Sequence, residues 1–92
     1  MKTIVAQFNT VDFTKQKYDN VIRDLEAAGQ GKPKGRLHHV IVEQPVGMLV
    51  IDLWESEELL DEFGKTLVPI LIKNGVTPAK PVTQKVYNII KP

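Results

Sequence analysis

The stretch Gly35–Ser56, GRLHHVIVEQPVGMLVIDLWES, most constrains what this chain can fold into. Its residues alternate with the two-residue period of a strand, break at a turn bearing Pro and Gly, and alternate again. Leu37, His39, Ile41 and Glu43 share one face of the first run, and His38, Val40 and Val42 share the other. In the second run Met48, Val50, Asp52 and Trp54 alternate with Leu49, Ile51 and Leu53. A turn formed by Gln44-Pro45-Val46-Gly47 pairs Glu43 with Met48. Counting back sets Ile41 opposite Val50, His39 opposite Asp52, and Leu37 opposite Trp54. Directly opposed side chains lie on one face, close enough to touch. One face of the hairpin therefore holds a His, an Asp and the single Trp, and the other is almost wholly aliphatic. A slip of one residue would set His39 opposite Ile51 and dissolve the pair.

The flanking segments read as two further strands and two helices. Lys2 to Phe8 alternates as a strand. Thr14 is placed to cap a helix whose stripe is Tyr18, Val21, Ile22 and Leu25, spaced i, i+3, i+4, i+7, and Gly29 ends it. Ser56 caps a second helix, with Glu57 and Glu58 in its first turn and Leu59, Leu60, Phe63, Leu67, Ile70 and Leu71 on its apolar side. Pro69 lies inside that helix and predicts a kink or a split into two short helices. Val82 to Ile90 alternates as the last strand. Strand, helix, strand, strand, helix, strand is the order of a ferredoxin-like α+β fold. It has a four-stranded antiparallel sheet with both helices on one face, here a single domain over residues 1–92. The other sheet face is then bare and aliphatic, which predicts a homodimer packed sheet to sheet.

Charge and composition narrow the function. Twelve basic against eleven acidic residues leave +1 and no charge block, so no nucleic-acid partner is expected. Lys32-Pro33-Lys34-Gly35-Arg36 reads as a solvated basic loop. The chain has no cysteine, which excludes disulfides, thiol catalysis and thiolate metal sites. The apolar run at the N-terminus breaks at Gln7, too early for a signal-peptide core, and no stretch is long enough to span a membrane. A cytoplasmic protein is expected. His38 and His39 point to opposite faces of one strand, so they do not chelate one metal, and no metal or other cofactor is expected.

The candidate site follows from the hairpin. His39 is the candidate general base, with Asp52 orienting it; the alternative is a cross-strand polar pair that satisfies itself. No Ser or Thr is placed to complete a nucleophilic triad. Trp54 either walls a pocket, stacking on a planar ligand, or is core beneath the second helix. Tyr18 and Phe63 lie on the buried helix stripes and line any cavity between sheet and helices. Tyr87 and Asn88 near the end of the last strand are weaker candidates for the same role.

GRLHHV, DLWES and FGKTLVPILIKNGV, taken together over nearly the whole chain, resemble the dimeric α/β-barrel superfamily. The likeness is to small bacterial proteins related to the antibiotic-biosynthesis monooxygenases. The resemblance implies two ferredoxin-like subunits packed sheet to sheet, each with a small-molecule cavity between its sheet and helices. The superfamily that the chain resembles includes cofactor-free oxygenases, where a deprotonated substrate reacts with oxygen directly, haem-degrading enzymes, isomerases and dehalogenase-like proteins, and the fold alone does not choose among them. The haem-degrading branch uses an Asn, a Trp and a His on the second helix. Asn9 and Trp54 match in type, but Ser56–Gly75 contains no His, so the resemblance does not extend to haem. The alternative class is a non-catalytic ligand-binding or assembly protein.

Overall fold

The computed structural model describes residues 2–92. Strand β1 (Ile4–Thr10), helix α1 (Lys15–Ala27), strands β2 (Arg36–Glu43) and β3 (Met48–Trp54), helix α2 (Glu57–Lys73) and strand β4 (Val82–Lys85) follow in that order. The strands form one antiparallel sheet in the order β2-β3-β1-β4. This is the ferredoxin-like arrangement. The chain's apolar periodicities are used as the sequence predicts: Ile4, Ala6, Met48, Val50 and Trp54 from the sheet pack with Val21, Leu25, Leu60 and Phe63 from the helices.

Local signals set the helix ends. The Thr14 hydroxyl accepts from the Lys17 amide at 3.2 Å, and the Ser56 hydroxyl accepts from the Leu59 amide at 3.3 Å. Each meets a donor that the first helical turn leaves unpaired. Helix α2 ends at Lys73, and Gly75, just past the Asn74 cap, has a φ of 74° that suits a residue without a Cβ. The Gly75 amide then donates to Ile72 O and the Val76 amide to Leu71 O, which turns Val76 into the core. The segment that follows is tied to the β1–α1 connection. Asp12 Oδ2 accepts from the Thr77 amide at 3.0 Å and from the Thr77 hydroxyl at 2.8 Å, and these bonds hold the Asp12 carboxyl below the usual carboxylate range.

Three expectations change. First, α2 does not split into two short helices: it runs as one helix through Pro69. Pro69 and Lys65 are both exposed, so water can satisfy the carbonyl that Pro69 leaves unpaired, while the buried side of the helix keeps its packing. Second, the last strand ends at Lys85 rather than Ile90. β1 begins at Ile4, which pairs with Lys85; the Val86 amide still donates to Thr3 O, and the register goes no further among the described residues. Tyr87 is fully exposed and Ile90 nearly so, and neither Tyr87 nor Asn88 lines the cavity described below. Third, β2 and β3 pair as counted from Glu43–Met48 up to His39–Asp52, but a bulge between Arg36 and His38 then sets Arg36, not Leu37, opposite Trp54. Leu37 is thrown outward and stands 44% exposed.

The β2–β3 turn is held against the end of β1. Gly47 has a φ of 79°, and a Cβ built there would lie 2.0 Å from the carbonyl oxygen of Thr10. Gly47→Ala therefore combines left-handed strain with a backbone clash and should cost at least about 2 kcal/mol in a urea unfolding experiment. A variant with unchanged stability would show that the turn does not seat on β1.

Candidate functional site

The helix-facing side of β3 carries a carboxylate where the flanking positions are aliphatic or aromatic. Asp52 is only 4% exposed. It sits there because the strand period points Met48, Val50, Asp52 and Trp54 the same way. A buried carboxylate needs hydrogen-bond donors, and Asp52 has two. His39 Nδ1 lies 2.6 Å from Oδ1, brought there by the β2 register. Trp54 Nε1, two residues along the same strand, donates to Oδ2 at 3.2 Å. A carboxylate only accepts, so Nδ1 carries a hydrogen.

Helix α1 completes the chain of contacts. Tyr18 Oη lies 2.7 Å from His39 Nε2, and the two rings stack with centroids 5.9 Å apart and planes 7° from parallel. Phe13 meets Tyr18 edge-on at 5.7 Å. With Nδ1 protonated, a neutral His39 presents its Nε2 lone pair, and the phenol O–H donates to it. Burial pushes the Tyr18 phenol above its usual value of 10.0; the charges of Asp52 and Asp19 push the same way, and the Arg36 guanidinium opposes them.

Tyr18, His39 and Asp52 all border a cavity between sheet and helices, with about 60 Å³ of free space. Phe8, Val50, Phe63 and Leu67 are among its apolar walls. That volume is well short of the roughly 300–1,000 Å³ typical of sites for drug-sized ligands. An apolar groove between α2 and the Pro78–Pro81 segment shares Phe8, Leu67, Leu71 and Ala79 with the cavity and continues it outward. At one end of the cavity the Thr10 hydroxyl is buried with no hydrogen-bond partner among the described residues.

The structure thus brings His39, Asp52, Tyr18 and Phe63 to one cavity. Trp54 is fully buried behind it, packed on Phe63 with ring centroids 5.4 Å apart, and touches the site through its bond to Asp52 rather than as a wall. Arg36 is a residue the sequence reading misassigned. It is half-buried at the start of β2, its guanidinium carbon 5.9 Å from the centre of the Phe63 ring, and it borders the cavity instead of joining a solvated loop. Only the bulge puts it there, and alternation alone carries no signal for a bulge. Among the described residues no group of three or more potential metal ligands converges, and no helix is long and apolar enough to cross a membrane.

Two measurements check this geometry. Asp52→Asn leaves one of the two buried donors facing an amide NH₂ and should cost about 1–3 kcal/mol of unfolding free energy. Tyr18 gives a pH signature. A phenol whose folded-state pKa is raised contributes stability that is fully present below pH 10.0, its ordinary value, and is lost as pH rises through the higher folded value. Urea midpoints followed into alkali should fall more steeply for the wild type than for Tyr18→Phe; parallel curves would contradict a buried, neutral phenol.

No family model matches the sequence, and no curated protein matches it. Solved structures do. SnoaB, a cofactor-independent oxygenase from Streptomyces nogalater, superposes with a TM-score of 0.63 at 13% identity, covering 96% of this chain and 94% of that one. A proposed antibiotic biosynthesis monooxygenase from Deinococcus radiodurans gives 0.59 at 13% identity over 97% and 96%. A proposed monooxygenase from Shewanella loihica gives 0.57 at 14% identity over 95% and 96%. At these identities the likeness is one of fold, and it is end to end: this chain has the ferredoxin-like fold of the antibiotic-biosynthesis monooxygenase-like proteins.

Proposed function

We propose that this protein is a small-molecule enzyme of the monooxygenase-like kind whose own chemistry is proton transfer, carried by Tyr18, His39 and Asp52. The observation that carries the reading is the continuous hydrogen-bonded line from Tyr18 Oη through His39 to Asp52 at the cavity wall. Both nitrogens of His39 are engaged, so the group that meets substrate is the Tyr18 oxygen. In the proposed step an acidic proton of the substrate passes to Tyr18 Oη as the phenol proton passes to His39 Nε2. The substrate keeps the bonding pair and becomes an anion. Asp52 balances the charge on the imidazolium. Such an anion is the starting point for a reaction with dioxygen without a cofactor, the class to which SnoaB belongs by name. Trp54 and Phe63 hold the relay in a dry, rigid setting.

The working unit in this reading is a cytoplasmic homodimer closed through the outer sheet face. Val40 on that face is 50% exposed, and Val42 and Val82 are also exposed, as are Tyr87 and Ile90 in the segment after β4. The accessible surface is 6327 Å². A compact 92-residue monomer should show roughly 5,400 Å². The excess is similar to the roughly 800 Å² that each partner buries in a standard interface.

Native mass spectrometry of protein purified from its own host tests both parts. The expected result is a dimer carrying a discrete small-molecule mass, and a monomer would remove the paired assembly. On the compound so identified, Tyr18→Phe and His39→Ala should each slow turnover by roughly 10²–10⁴-fold. Full activity in both variants would remove the proton-transfer role from Tyr18 and His39, and a wild type that binds the compound without turning it over would leave a binding protein.

A further inference from the structure

We propose that the cavity takes a small organic anion, or a substrate that becomes one there, and that Arg36 is the residue that selects it. The proposal rests on the reading of the cavity as a ligand site. It adds the chemical class of the ligand: a phenolate, enolate or carboxylate on an otherwise apolar body.

The argument begins at the bulge. Had the alternation of β2 continued, Leu37 would face the helices at the end of the hairpin. The irregularity between Arg36 and His38 turns Leu37 out to solvent and sets Arg36 opposite Trp54, on the cavity face. One added residue has exchanged an aliphatic side chain for a guanidinium. Bulges commonly re-aim a side chain in this way beside functional sites.

Once there, Arg36 is held but not neutralised. Its Nη2 donates to Gly31 O at 3.2 Å, and its guanidinium carbon sits over the Phe63 ring. None of the ion pairs among the described residues includes it. Asp52 is the one carboxylate among the described residues bordering the cavity, and its two oxygens already serve His39 and Trp54. Glu55, Glu58 and Glu62 on the neighbouring segments form no ion pair with Arg36. Arg36 is half-buried beside apolar side chains and no carboxylate pairs with it directly, so part of its hydrogen-bonding capacity is open to a ligand. An anionic ligand would accept hydrogen bonds from the guanidinium's remaining N–H groups and pair with its charge. Arg36 and Tyr18 border the same cavity, so the guanidinium charge would favour the anion left by proton removal over the neutral reactant.

Two probes of nearly equal shape test this, 4-nitrophenolate and 4-nitrotoluene, titrated into the full-length protein at mildly alkaline pH and followed by quenching of Trp54 fluorescence. The wild type should bind the anion on the order of tenfold tighter than the neutral probe, the scale of one hydrogen bond to a charged group. Arg36→Gln should abolish that preference while still binding 4-nitrotoluene, and Arg36→Lys should keep only part of it. A wild type that binds both probes equally, or an R36Q variant that keeps the preference, overturns the anion proposal and leaves the cavity reading standing. If R36Q does not fold, R36K decides, because an unchanged preference there overturns the proposal and a reduced one supports it. Binding of neither probe to the wild type overturns this inference and the cavity reading together.

Discussion

A carboxylate inside a core of this size has to be satisfied, and the structure depends on how Asp52 is. It is buried among apolar neighbours, and its two oxygens take hydrogens from His39 and Trp54. Breaking either bond leaves a desolvated acceptor, so the cost of error is far larger than the modest net gain of the bonds themselves. That asymmetry fixes the register of β2 on β3. The aliphatic outer face would tolerate a shift of two residues with little loss, because Val40, Val42, Leu49 and Ile51 are interchangeable in kind. The His–Asp pair tolerates none. Through Tyr18 the same line of contacts fixes how α1 lies on the sheet, so one polar chain orients three elements.

Periodicity and chemistry made much of this legible before any coordinates. The hairpin turn, the pairing from Glu43–Met48 to His39–Asp52, both helix caps and the ferredoxin-like order follow from residue spacing, since each is a local rule with a local signature. The bulge was not legible. Arg36 and Leu37 are both acceptable in a strand, and what decides between them is the fit of Gly35 against Leu59 and its carbonyl's bond to the Glu55 amide, a contact between distant segments. The length of β4 escaped for a related reason. Val82 to Ile90 has strand character throughout, but a strand ends where its neighbour ends, and that belongs to β1. The split expected at Pro69 rests on a backbone penalty that water meets on the exposed side of the helix, a fact of tertiary placement that the sequence does not carry.

The likeness to SnoaB separates scaffold from chemistry. Nearly the whole of both chains superposes at 13% identity, so what is shared is the layering of a sheet under two helices, and in this chain that layering leaves a cavity. The polar groups that meet the cavity are a matter of individual residues. Here they are a phenol, an imidazole, a carboxylate and a guanidinium, each delivered by a different structural device: a helix stripe, a strand register, a strand alternation and a bulge.

The shortness of β4 has a consequence for how the molecule forms. The β2–β3 hairpin joins residues separated by one tight turn, so its pairing costs little loop entropy and can form early. Pairing of Val82 with Gln7 closes a loop spanning almost the entire chain, and only four residues are available to repay that cost. The edge strand is therefore expected to dock after the rest of the sheet has condensed and to detach without unfolding it. β4 and the arm beyond it are then the least cooperative part of the protein, and they are the part that can be remodelled without disturbing the polar chain beneath the helices.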